Sequence, residues 1–277
     1  MIYTGYNQGT TLKNSDTETD LKFAEKYGFD FFEFQMGPLY EYLAGHEIKE
    51  LKEFFSTSRI KPYALNVLEF FNLKTGDALR EKTDEFCSMC EIARELDIGI
   101  IILVPSPNEG GFTRKQILKD SVETISKLTD ISQEYGIKLA YEFLGFKESS
   151  VNNLSQCNEI IKEVNRPDVG IVLDCFHFYA GDSRLEDLED IDPEKIFVFH
   201  INDSKKGDTW TLEDSDRLWP GDGAIPLERI LGILKKKGFK GVATIELFNP
   251  EYWKWDPEDT IRVARQKTVD IIDKYYK

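Results

Sequence analysis

Long apolar runs are missing from this sequence: none approaches the ~20 residues that a membrane-spanning helix needs. The N-terminus also lacks the basic-then-apolar layout of a secretion signal, so the chain is expected to be cytoplasmic. Positive charge is scarce as well, with 35 Lys and Arg against 50 Asp and Glu and a net charge of -15. Such a surface repels polyanions, because nucleic-acid binding rests on Lys and Arg contacts to phosphate. No nucleic-acid partner is expected.

Cysteine and histidine are few, four and three respectively. Cys87 and Cys90 form a C-x-x-C pair, but they lie in a helical pattern beside Met89 and Ile92, where three-residue spacing puts both on one face. Core packing is the expectation for that pair, and Cys157 and Cys175 are read as reduced. The first strand-to-helix junction, Gly5-Tyr6-Asn7-Gln8-Gly9-Thr10, has no G-x-G-x-x-G, which removes support for a dinucleotide site. No linker or low-complexity tract divides the chain, so residues 1–277 are read as a single domain. With 41% hydrophobic and 31% charged residues, that domain can bury a sizeable core.

What the sequence does contain is a βαβα rhythm. Short apolar runs at Ile2–Tyr6, Phe29–Phe34, Pro62–Val67, Ile98–Val104, Lys138–Phe143, Gly170–Leu173, Phe197–Ile201 and Val242–Leu247 read as strands. Amphipathic segments at Gln116–Tyr135, Asn153–Val164, Leu227–Lys237 and Pro257–Tyr276 read as helices between or after them. Gly28, Gly136 and Gly238 each precede an apolar run, where a left-handed glycine would end the preceding helix. Eight buried strands with helical crossovers predict a (β/α)₈ TIM barrel.

The mouth of such a barrel is built from the C-terminal ends of its strands. Four consecutive runs end in polar residues: Leu139-Ala140-Tyr141-Glu142, Ile171-Val172-Leu173-Asp174, Phe197-Val198-Phe199-His200 and Ala243-Thr244-Ile245-Glu246. Three carboxylates converging there could not stay ionised together without a cation, so Glu142, Asp174, His200 and Glu246 are the expected ligands of one divalent ion. Three oxygens and one imidazole suit Mn²⁺, Mg²⁺, Co²⁺ or Zn²⁺. His177, three residues after Asp174, is the candidate to reach a substrate hydroxyl, whereas His46 is read as a surface residue. Arg217 opens a Pro- and Gly-rich stretch after His200; it would orient a polyol oxygen or pair with Asp214 or Asp216. The aromatic cluster of Phe248, Tyr252, Trp253 and Trp255 would line the pocket, cover it or make a subunit contact.

Glu, Asp-x-x-His, His and Glu closing four successive strands resemble the xylose isomerase-like superfamily of TIM barrels. More narrowly, Val164-Asn165-Arg166, Phe176-His177-Phe178, Asp216-Arg217, Trp219-Pro220-Gly221 and Glu246-Leu247-Phe248 look like the inosose isomerases of inositol catabolism. Those enzymes interconvert 2-keto-myo-inositol and 1-keto-D-chiro-inositol. The resemblance implies an intramolecular oxidoreductase acting on a keto-polyol or ketose, with the four residues above as metal ligands and His177 and Arg217 as substrate contacts. Glu142 and Glu246 would exchange the proton through an enediolate. In the first half, Asn66 and Glu33 are candidate pocket residues.

The same ligand set also serves 3-epimerisation and dehydration, so a ketose 3-epimerase or an inosose dehydratase is the alternative enzyme reading. An apurinic endonuclease would need more histidines and less negative charge. A non-catalytic sugar-binding barrel is the alternative from another class.

Overall fold

The computed structural model describes residues 2–276. Eight parallel strands close into a barrel in chain order. They are β1 (Tyr3–Asn7), β2 (Phe31–Gln35), β3 (Lys61–Leu68), β4 (Ile100–Leu103), β5 (Lys138–Glu142), β6 (Val169–Asp174), β7 (Ile196–Ile201) and β8 (Val242–Ile245). The ring shuts where β1 pairs with β8, from Tyr3 against Val242 to Tyr6 against Ile245. Helices run outside every crossover, among them Thr17–Tyr27, Gly76–Glu95, Arg114–Gln133, Leu154–Val164 and Leu227–Lys236, and Pro257–Tyr275 follows the last strand. No helix among the described residues is long and apolar enough to cross a membrane.

Side chains alternate across each strand, which sorts the barrel into an outer and an inner face. Phe32, Phe34, Leu139, Tyr141, Leu173 and Phe199 turn outward into the main core. Ala64, Ile102, Ala140, Val172 and Val198 turn inward and form a separate small plug. Two residues further along the same strands come Asn66, Glu142, Asp174 and His200, all buried. The polar floor is therefore the next inward layer above the apolar plug.

Several expected strands begin too early. Phe29 and Ile98 lie outside β2 and β4; their backbone N–H groups donate instead to Ala24 and Ala93, carbonyls of the preceding helix. The residue before each is left-handed, Gly28 at φ +83° and Asp97 at φ +55°. An apolar residue after a left-handed cap closes the helix before the strand starts, and a reading of apolar runs absorbs it into the strand. Gly136 and Gly238 are left-handed as expected, at φ +73° and +75°.

The excursion between β7 and β8 contains a small antiparallel ribbon, Asp203–Ser204 against Arg217–Leu218, too short for the sequence pattern to show. Asp203 fixes this region: its carboxylate accepts from the backbone N–H groups of Ser204, Gly221, Gly223 and Ile225, all at 2.9–3.0 Å.

Candidate metal centre

Glu142 and Asp174 are the last residues of β5 and β6, His200 lies in β7 directly opposite Asp174, and Glu246 follows β8 by one position. Each offers one ligand atom, and the four atoms lie within 4.8 Å of one another. His200 Nδ1 is central, 3.2 Å from Glu246 Oε2, 3.3 Å from Glu142 Oε1 and 3.6 Å from Asp174 Oδ2.

The donor set fits a divalent cation. His200 Nδ1 and Glu142 Oε1 are buried and, among the described residues, make no aligned hydrogen bond. The four side chains shift one another's protonation. Burial alone would strip the proton from His200, but the carboxylates of Glu246 and Glu33 outweigh it and raise its pKa well above the usual imidazole range. Burial pushes Glu142 up to about 8 despite the neighbouring His200. Burial also opposes ionisation of Glu246, yet His200 and Arg217 hold its pKa below the usual value.

Arg217 is fully buried, and Nη1 donates to Asp174 Oδ2 at 2.8 Å and to Glu246 Oε2 at 3.2 Å. Its Nε donates to Asp214 at 3.0 Å, so the two roles foreseen for this arginine coexist; Asp216 pairs instead with Lys205. The guanidinium lies over Phe176 at 4.7 Å and Phe248 at 5.4 Å from the ring centres, a geometry that fixes its plane.

His177 sits in the short helix Cys175–Ala180, whose first turn is capped by Asp174 Oδ1 accepting from the His177 backbone N–H. Its Nδ1 accepts from Gly145 N–H at 3.2 Å, and burial lowers its pKa. A neutral ring has one lone pair to offer on its two nitrogens. Its Nε2 is 3.1 Å from Arg217 Nη2, which can only donate. Gly145 N–H and the Arg217 guanidinium therefore both face the ring, and His177 and Arg217 stand side by side at the wall of the cavity.

The cavity has a volume of about 490 Å³. Glu142, Glu246, His177, Arg217, Gln35 and Asn66 line its polar side, and Leu12, Val67, Phe70, Leu144, Phe146 and Phe248 are among its apolar neighbours. Of the aromatic cluster after Glu246, only Phe248 reaches it: Tyr252 stacks on Trp219 at 4.3 Å, Trp253 donates to Gly9 O, and Trp255 is exposed. His46 lies apart, stacked on Tyr42.

Glu33 is a correction. It is fully buried inside β2 and is absent from the cavity wall; it accepts from Asn7 and Asn66 and bonds His200 Nε2 on the side away from the cavity. Sequence reasoning also missed Asn7, Gln35 and Asn202, the last of which donates to Asp174 Oδ2 at 2.9 Å. Asn7 and Gln35 close β1 and β2, so the signal used for the four ligands, a polar residue ending an apolar run, would have found both.

Fold and floor together define a (β/α)₈ barrel with a centre able to hold a divalent cation at its mouth. The family model of xylose isomerase-like TIM barrels matches residues 21–268, and the chain belongs to that family. An inosose isomerase from Halalkalibacterium halodurans is 42% identical over 272 residues, covering 98% of this chain and 96% of the relative. The inosose isomerase of Bacillus licheniformis is 44% identical over 273 residues, covering 98% of both chains. A crystal structure of the IolI protein with a bound zinc atom superposes with a TM-score of 0.98 at 42% identity, over the whole of both chains.

Proposed function

We propose that this chain is a divalent-metal-dependent inosose isomerase that interconverts 2-keto-myo-inositol and 1-keto-D-chiro-inositol, acting as one barrel domain. The observation that carries the reading is the convergence of Glu142, Asp174, His200 and Glu246 beneath a cavity of about 490 Å³. It is joined by identity above 40% to inosose isomerases along nearly the whole chain. These four residues would hold the cation. When bound, it would supply Lewis-acid polarisation of the ketone and its neighbouring hydroxyl.

The chain's own groups do the rest. Of Glu142 and Glu246, which flank the centre, one takes the proton from the carbinol carbon and the other returns one to the former carbonyl carbon, while the hydroxyl proton passes to the former carbonyl oxygen; the roles reverse in the opposite direction. His177 and Arg217, side by side on the cavity wall, contact the oxygen that gains charge in the enediolate. Asn66 lies on the polar side of the cavity within reach of a ring hydroxyl. The four unpaired cysteines fit a reducing compartment, and the cytoplasm is the proposed place of work. The charge of -15 supports a small-molecule substrate rather than nucleic acid.

The test is deuterium exchange followed by NMR. Zinc-loaded protein incubated with 2-keto-myo-inositol in D₂O should exchange the substrate α-proton and form a second keto-inositol, and chelator-treated protein should do neither. Glu142→Gln and Glu246→Gln should each abolish exchange; full exchange in either would sink the acid–base assignment. Loss of water instead of a new ketone would move the reading to a dehydratase.

A further inference from the structure

Glu33 has no place in the chemistry above, yet it is a fully buried carboxylate 3.0 Å from His200. Its contacts are directional. His200 turns Nδ1 to the three carboxylates of the metal centre and Nε2 to Glu33, whose oxygens lie 3.0 and 3.2 Å away. Glu33 Oε1 also accepts from Asn7 Nδ2 at 2.7 Å and Asn66 Nδ2 at 2.9 Å. The same two amide nitrogens donate onward to Glu246 Oε1 at 3.0 and 2.9 Å. Two amides thus bridge a carboxylate behind the histidine to a carboxylate of the centre, and Glu246 Oε2 is left facing inward.

We propose that Glu33 is the positioning residue of the centre: it holds the proton of His200 on Nε2 so that Nδ1 is offered to a divalent cation, while Asn7 and Asn66 lock Glu33 and Glu246 into one brace. The proposal rests on the reading of Glu142, Asp174, His200 and Glu246 as metal ligands. Its physical ground is general. A neutral imidazole has one N–H, and a carboxylate accepting that proton fixes the tautomer, orients the ring and makes the opposite nitrogen a stronger donor. Glu33 lies across the ring from the ligand atoms and so acts through His200. The arrangement also gives Asn66 a second task, because its amide nitrogen is committed to the brace.

The experiment uses zinc as the probe and the full chain. With only His46, His177 and His200 present, ring-¹⁵N labelling resolves every imidazole nitrogen. In zinc-loaded wild-type protein, His200 should bind zinc through Nδ1 and show an Nε2 proton shifted downfield by its carboxylate partner. Glu33→Gln keeps the side-chain volume and removes the charge; it should move that proton upfield and weaken zinc about 10–100-fold in a chelator competition, the range for loss of such a partner. Zinc on Nε2, or Glu33→Gln with unchanged affinity and unchanged proton shift, would overturn the proposal. Should Glu33→Gln fail to fold, the wild-type spectrum decides alone. Wild-type protein that binds no zinc would remove the metal-centre reading and the proposal with it, an outcome distinct from zinc binding that ignores Glu33.

Discussion

His177 and Arg217 stand 3.1 Å apart on the cavity wall, where an entering oxygen would meet both. His177 is the cleaner residue to remove, because Arg217 also neutralises buried Asp174 and Glu246. His177→Ala should lower kcat by roughly 10²–10³, the range for loss of one donor to a developing oxyanion, with zinc affinity little changed. Steady-state kinetics beside a chelator competition tests this; a variant that loses only its zinc would refute the role. Arg217→Ala should instead destabilise the zinc-free protein by roughly 3–5 kcal/mol, the scale for stripping one partner from a buried ion pair, as read from denaturant unfolding.

At the scale of elements, the first helix is tied to the barrel through a buried acid. Asp20, in Thr17–Tyr27, accepts from Thr11 Oγ1 at 2.8 Å and Gln8 Nε2 at 3.4 Å, and burial raises its pKa from 3.8 to about 7. Below pH 4 both folded and unfolded chains hold this proton. Between there and 7 only the folded chain does, so the contribution of Asp20 to stability falls as pH rises, by up to about 4 kcal/mol in all, and changes no further above it. Asp20→Asn should flatten that slope and stabilise the protein at pH 8 relative to wild type, as measured by urea unfolding across pH. An unchanged slope would refute the linkage.

The elements also show where sequence is readable. Glu142, Asp174, His200 and Glu246 stand out because each ends an apolar run and its neighbour in sequence points to the core. Glu33 is hidden by the same logic: it lies within the run Phe31–Gln35, between two phenylalanines, and nothing local says whether an inward carboxylate meets substrate or a histidine. Its partner is 167 positions away, and only closure of the barrel brings them together. The ribbon that carries Arg217 is likewise set by Asp203 and four backbone N–H groups rather than by any periodicity.

For the whole molecule, three buried carboxylates at one point make metal loading and folding a linked equilibrium. Zinc a thousandfold above its Kd should stabilise the fold by about 4 kcal/mol. For a chain of this length that raises the melting midpoint by roughly 7 °C. Calorimetry with and without chelator reads the difference, and coincident melts would argue against a native-state centre. The gain should largely vanish in Asp174→Asn.

The brace of Asn7, Glu33 and Asn66 ties the first three strands to β7 and β8. For protein engineering this sets a rule of exchange. The loops beyond β1 and β3 help form the cavity wall through Leu12, Glu69 and Phe70, and they are the natural parts to swap when a different ketose is wanted. A transplant that starts after Asn7 and Leu68 should carry new substrate preference onto an intact centre. One that starts a few residues earlier imports a foreign floor and gives up the metal along with the old substrate.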